Sequence, residues 1–160
     1  MAAVDYFLKI DGIEGESTDA KHKNEIDVVG FSWGEKQSGH VVGAGHGTGK
    51  VVMGDFRFSM KVNKASPKLM LACADGDHIK EALLTCRKAG GHQEPFYKIK
   101  LSEILVSSFE TAGSHGAVVP HDQITLTYNK IEFEYHEQKK DGTLGPAVKA
   151  GWDAVKNVKV

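Results

Sequence analysis

The sequence predicts an all-β fold with one short α-helix, and three observations carry that prediction. Hydrophobic and polar residues alternate along most of the chain, a single segment has helical spacing, and glycine-containing turns divide the alternating runs. Many short strands with a lone helix, and no strand–helix–strand rhythm, indicate a β-sandwich or barrel. At 160 residues the chain has the length of one domain, enough to bury about two-thirds of its unfolded surface.

The first strand places Val4, Tyr6, Leu8 and Ile10 on one face, and Gly12 and Gly15 mark a turn after it. Ile26 and Val28 then share one parity, while Val29, Phe31 and Trp33 share the other. That switch around Gly30 predicts a bulge or bend. Phe56, Phe58, Met60 and Val62 alternate with Arg57, Ser59, Lys61 and Asn63, the cleanest half-buried strand in the chain. Ser66 as N-cap, Pro67 at the first helical position and Gly76 at the end predict one helix, with Leu69, Met70 and Cys73 as its apolar stripe. A helix so short is marginal alone and must pack on a sheet. Strands follow at 82–87, 96–101 and 104–109, with a Gly90-Gly91 turn after the first. Ile124, Leu126 and Tyr128 have opposite parity to Ile131, Phe133 and Tyr135, which predicts a bulge at Asn129-Lys130. A last strand centres on Trp152 and Val155.

Composition narrows the function. Lys and Arg number 20 against 21 Asp and Glu, a formal charge of -1, which argues against nucleic acid as the main partner because phosphate binding needs a concentrated basic face. Residues 1–10 carry Asp5 and Lys9 and have no long apolar core, so no secretory leader is expected there, and no run approaches the ~18 apolar residues that span a bilayer. The expectation is assembly in the cytoplasm, and export by a route that uses no cleavable leader. Cys73 and Cys86 are too few for a disulfide framework and do not form a CxxC pair, so two reduced thiols are expected, one on the helix and one on a strand.

Three motifs invite a chemical reading. Gly30-Phe31-Ser32-Trp33-Gly34 matches the G-x-S-x-G nucleophile elbow, which requires a tight strand-to-helix turn on a doubly wound scaffold. The residues after it run into a glycine-rich loop without a helical stripe, so Ser32 reads as a strand residue facing away from Phe31 and Trp33. Residues 44–50 suggest a phosphate loop, but Ala44 stands where a P-loop needs glycine, and Val51 where it needs Ser or Thr. The eight histidines form no H-x-H, HExxH or Cys/His cluster, so surface histidines are expected and no metal or other cofactor. No catalytic residue is assigned, and the chain is read as a non-enzyme.

The longest irregular stretch, 35–50, holds Gly39, Gly43, Gly45, Gly47 and Gly49. Loops beyond about 12–15 residues are usually functional or disordered. Glycine loses the most backbone freedom on folding, so this loop is costly to order without a partner. A second loop, 111–120, contains Gly113, His115 and Gly116.

In collinear order, Tyr6-Phe7-Leu8-Lys9-Ile10-Asp11-Gly12, Gly15-Glu16-Ser17, Glu25-Ile26-Asp27-Val28, Ser32-Trp33-Gly34, Ser66-Pro67 and 69–73 are similar to haemolysin-coregulated (Hcp) proteins. The similarity continues through Leu84-Thr85-Cys86-Arg87-Lys88-Ala89-Gly90-Gly91, Ile124-Thr125-Leu126, Tyr135, Lys139 and Gly151-Trp152, covering nearly the whole chain. The resemblance implies one domain over residues 1–160, a β-barrel of two packed sheets with a helix on one side. It further implies hexameric rings stacked into the inner tube of type VI secretion, with a spike at the tip, a contractile sheath around it, and effectors carried or chaperoned in the lumen. His40, His46, His115 and His121 punctuate loops where they bear on contacts between rings. Gln37, Ser38, Gly39, His40, Val41, Val42, Gly43, His46 and Lys50 are the candidate ring-stacking residues, and Ser32 the candidate facing the lumen. The near-zero net charge lowers self-repulsion and suits packing of identical copies. Two other classes stay open: a monomeric ligand-binding barrel of the lipocalin type, with a deep apolar pocket, and a small hydrolase using Ser32.

Overall fold

The strands form in the order the alternation predicts, and one continuous sheet takes up nearly all of them. The computed structural model describes residues 4–39 and 49–160. In chain order the elements are β1 (Val4–Ile10), β2 (Ile26–Asp27), β3 (Gly30–Ser32), β4 (Glu35–Gln37), β5 (Val51–Met53) and β6 (Phe56–Lys61). These are followed by α1 (Ala65–Asp75), β7 (His78–Lys88), β8 (Pro95–Ala112), β9 (His121–Gln138), β10 (Leu144–Asp153) and β11 (Val158–Lys159). The main sheet runs β11-β10-β9-β8-β7-β1-β2, and β6 joins the other edge of β9 and carries β3. Among the described residues all strand pairings are antiparallel, and β4 and β5 make a separate two-stranded ribbon.

A coordinated change of parity folds this sheet. Ile79 and Ala82 in β7, Leu101 and Ile104 in β8, and Tyr128 and Ile131 in β9 are all buried although each pair is three residues apart. The pairs stand in register, Ile79 beside Ile104 beside Tyr128, and Ala82 beside Leu101 beside Ile131. Two successive residues in each strand therefore face outward at one line across three strands, and the register passes through unbroken. Glu103 takes a positive φ of 57° on that line. The parity change expected at Asn129-Lys130 is present, but as part of this seam rather than as a bulge of β9 alone. The register shift of β8 against β9 falls instead between Val106 and Ser108, and the two strands expected at 96–101 and 104–109 are one long strand.

Beyond the seam β9 turns from β10 to β6, and the two halves of the folded sheet share one core. Strand pairing does not close the barrel. The remaining gap is crossed by the chain itself: the Val28 N–H donates to the Tyr6 carbonyl of β1 (3.0 Å), and the Val29 N–H to the Ser59 carbonyl of β6 (2.8 Å). The parity switch read near Gly30 is this crossing. Val29 is consequently exposed rather than aligned with Phe31 and Trp33, which pack against the core. Large apolar side chains fill the interior, Phe56, Leu8, Ile26, Leu84, Leu101 and Leu126 among them.

The helix closes one side, packing against β8, but its details differ from the sequence reading. Ser66 lies inside the first turn, and its Oγ donates to Asp122 Oδ2 at 2.6 Å. Asn63 Oδ1 instead accepts from the Ala65 N–H (2.8 Å), because a side chain two residues upstream reaches an orphan helical donor directly. Ala65, Leu69 and Ala72 are the buried apolar positions, whereas Met70 is 49% exposed, because it stands about 100° around the helix from Leu69, at the margin of the buried stripe. Gly76 ends the helix at φ 72°, a left-handed conformation that favours glycine. Cys73 lies on α1 and Cys86 is buried on β7; burial pushes the Cys86 thiol up to about 12, which keeps it protonated and unreactive. The strand centred on Trp152 and Val155 in the sequence reading is β10, which ends at Asp153, and Val155 lies in the turn before β11. Among the described residues, no helix is long and apolar enough to cross a membrane.

The rotated stripe has a measurable consequence. Leu69→Ala should cost about 2–5 kcal/mol in urea denaturation followed by circular dichroism, and Met70→Ala under about 1 kcal/mol. Equal losses would restore the stripe read from spacing alone.

Candidate assembly and cargo surfaces

Ser32 lies at the end of β3, opposite Arg57 of β6. Its neighbours in the chain point the other way. Phe31 meets Tyr6 edge-on at 5.4 Å and stacks near Phe56 at 5.9 Å, while Trp33 lies 5.2 Å from Phe133. Alternation then leaves Ser32 exposed. The next element after Gly34 is β4, not a helix, so no nucleophile elbow forms. Across three more strands the same outer face is small and polar. One rung reads Ser32, Arg57, Thr125, Ser108, and the next reads Gly30, Ser59, Gln123, Glu110.

The ribbon of β4 and β5 is the base of the glycine-rich loop. Gly54 anchors it: its N–H donates to the Gly34 carbonyl (2.8 Å), and its carbonyl accepts from Trp33 Nε1 (3.1 Å) and the Tyr128 hydroxyl (2.7 Å). A side chain at Gly54 would fall 2.5 Å from the Gly34 oxygen, so this crossing requires glycine. Burial pushes the Tyr128 phenol up to about 12, so it remains a hydrogen-bond donor at neutral pH. Glu35, Lys36 and Gln37 of β4 are all exposed, while Met53 of β5 packs against the core. Ser38 Oγ donates to the Lys50 carbonyl (3.0 Å), and the Gly39 N–H to Gln37 Oε1 (3.2 Å). The two legs approach so closely that a Cβ on Gly49 would stand 2.2 Å from the Gly39 nitrogen. Of the candidate stacking residues, Gln37, Ser38, Gly39 and Lys50 are thus placed at the root of the loop. His40, Val41, Val42, Gly43 and His46 lie outside the described residues.

Sequence reasoning did not assign a second outer feature, the clasp formed by residues 13–25 over β1 and β7. Phe7 faces outward from β1 yet is 4% exposed, because His22 stacks on it at 4.4 Å and the Arg87 guanidinium lies over it at 4.8 Å. Arg87 donates through both terminal nitrogens to the two carboxylate oxygens of Asp19, with Asp5 at 3.7 Å. His22 Nδ1 is 2.9 Å from Glu25 Oε2. The clasp holds its shape by exchanges within the segment: Gly15 N–H to Asn24 O (2.8 Å), and Asn24 N–H to Ser17 O (2.8 Å). A signal was present, since Phe7 breaks the alternation of β1 as an apolar residue on the polar parity.

A bent, nearly closed antiparallel sheet with one covering helix and a projecting ribbon is the fold shared with solved type VI secretion proteins. The chain belongs to the Hcp family: residues 7–135 match the family model described as type VI secretion system effector, Hcp. The protein hcp1 of Pseudomonas aeruginosa is 44% identical over 159 residues, which span 98% of each chain. Among solved structures, a type six secretion system protein superposes with a TM-score of 0.93 at 31% identity, covering 99% of this chain and 100% of that one. Hcp1 from Salmonella typhimurium gives 0.85 at 36%, with the same coverage. The family is structural and secreted by that system rather than enzymatic, which settles the hydrolase reading of Ser32.

The Arg87 guanidinium holds the Asp19 carboxyl down at about 2, below its ordinary 3.8, chiefly by direct hydrogen bonding. A carboxyl depressed in the folded state stabilises the fold above its unfolded value and loses that contribution as pH falls toward its folded value. Asp19→Asn should therefore lower the urea midpoint by a constant amount at pH 5–7, and the difference should shrink between pH 3.8 and about 2. A difference independent of pH would show that the Arg87 pairing contributes nothing.

Proposed function

We propose that the chain acts as a single domain over residues 1–160 that forms homohexameric rings, and that these rings stack into the inner tube. In this reading it assembles in the cytoplasm and leaves through the type VI apparatus. The spike, the contractile sheath and secreted effectors are its other partners. The observation that carries the reading is the apron of β10 and β11: neither strand has a buried residue, while Val148, Val155, Val158 and Val160 are 67%, 70%, 48% and 57% exposed. An edge of paired strands with apolar residues in water is a surface that a neighbouring copy would cover. The filled interior weighs against a lipocalin-type barrel. An open pocket of about 440 Å³ does exist, but it lies beside the ribbon, lined by Trp33, Met53, Phe133 and Trp152, and not within the core.

The glycine-rich loop, rooted at Gln37 and Lys50, is assigned to contacts between rings, and the polar face bearing Ser32 to the lumen. Light scattering and negative stain at high concentration should give hexamers and rings; a strict monomer would sink the assignment. Shortening the loop between Gly39 and Gly49 should abolish stacking while leaving the β circular-dichroism signal unchanged. Ser32→Gln should leave rings intact and reduce retention of a co-expressed effector, because the residue's core-facing neighbours are untouched. Full retention beside intact rings would remove Ser32 from the lumen, and loss of rings would place it at a subunit seam.

A further inference from the structure

The face that carries Ser32 is not uniformly neutral. A shallow recess of about 430 Å³ opens on it, lined by Gly30, Ser32, Arg57, Ser59, Gln123 and Thr125 among others. Arg57 is its one charged lining residue. It is exposed, and among the described residues it takes part in no ion pair. The nearest carboxylate of the same face, Asp55, stands one rung from Arg57 and forms no ion pair with it. Asp55 Oδ1 accepts from Thr127 Oγ1, and Glu110 sits on β8, two strands (about 10 Å) from β6 and one rung further along. Lys61, facing the same way on β6 beside His121, adds positive rather than negative charge. Ser32 and Thr125 stand opposite Arg57 on the two flanking strands, while the Ser59 hydroxyl, two residues along β6, donates to the Gly30 carbonyl (3.5 Å). Hydroxyls donate to an oxyanion, and an arginine fork matches the two oxygens of a carboxylate.

We propose that this recess binds a carboxylate of the carried protein, with Arg57 as the charged anchor and Ser32 and Thr125 as neutral donors on either side of it. The inference rests on the lumen reading of this face for its place in secretion, but the binding chemistry does not depend on it. It makes Arg57, rather than Ser32, the residue that selects cargo, and it favours acidic segments. Being exposed, the contact should weaken as salt screens it.

The test uses assembled wild-type protein and fluorescein-labelled peptides followed by anisotropy. One peptide has a single internal Glu and an amidated terminus, a second has Gln there, and a third has Gln and a free terminal carboxylate. The Glu peptide should bind about tenfold tighter than the amidated Gln peptide. That preference should vanish in Arg57→Gln, fall in Arg57→Lys, and decline with salt. Preferential binding of the third peptide alone would support the same site and identify a chain terminus as its source. Equal binding of all three to wild type, or a preference left intact by Arg57→Gln, would overturn the proposal. Should Arg57→Gln fail to fold, Ser59→Asp supplies the same readout, because a carboxylate placed beside Arg57 should occupy it and abolish the preference; an unchanged preference again overturns it. Gold-maleimide on Ser32→Cys in a Cys73→Ser background, located by negative stain, separates the two ideas: label on the outer wall would refute the lumen reading while leaving carboxylate binding to be judged by the peptides.

Discussion

The seam across β7, β8 and β9 is the constraint from which the rest of the architecture follows. Buried residues three apart in each of three strands, held in mutual register, oblige the sheet to turn its apolar face inward on both sides of one line. Were only one strand to switch parity, its partners would expose Ile104 or Tyr128, or bury Glu103. Because all three switch together, no hydrogen-bond register is lost and the cost is confined to one left-handed residue, Glu103. The fold in the sheet then lets β9 pair with β10 along one half and β6 along the other, which brings Phe56 and Leu126 into the same core as Leu84 and Leu101.

A sheet folded in this way leaves its two ends close but unpaired, and the chain between β2 and β3 spans the gap with one hydrogen bond to each side. That solution frees the outer face of β3 and β6 from structural duty. Small hydroxyls and one arginine stand there without harming the core, since Phe31, Phe56 and Phe58 on the opposite face supply the packing. The same economy explains why the ribbon of β4 and β5 can project. Its attachment is concentrated at Gly54, where Trp33 and Tyr128 converge on one carbonyl.

For a tube subunit, this division of labour fits the mechanical task. Core and clasp hold each subunit together, the clasp through a nearly buried Arg87 paired with Asp19. Edges and projecting loops remain available to neighbours. The apron of β10 and β11 has no buried residue and adds little to the core.

The sequence alone determined the class of fold, most strand positions and the family, because period-2 alternation and collinear motifs are local properties that survive without coordinates. It also determined that Ser32 faces away from Phe31 and Trp33, since alternation fixes opposite faces. It assigned Leu69 to the buried side of α1 but could not set the helix's rotation. Only the packing of α1 on β8 centres the buried stripe on Ala65, Leu69 and Ala72 and leaves Met70 at its margin. Nor could it show that the parity breaks at Ile79, Ile104 and Tyr128 form one line, because register between distant strands is fixed by packing and not by any strand's own pattern. Arg87 and Arg57 differ in the same sense: similar in sequence as arginines on alternating strands, one is buried against Asp19 and Phe7 while the other stands free over a polar recess. Which becomes which was decided by the chain that folds over it, since residues 13–25 cover β1 and β7 and no described segment covers β6.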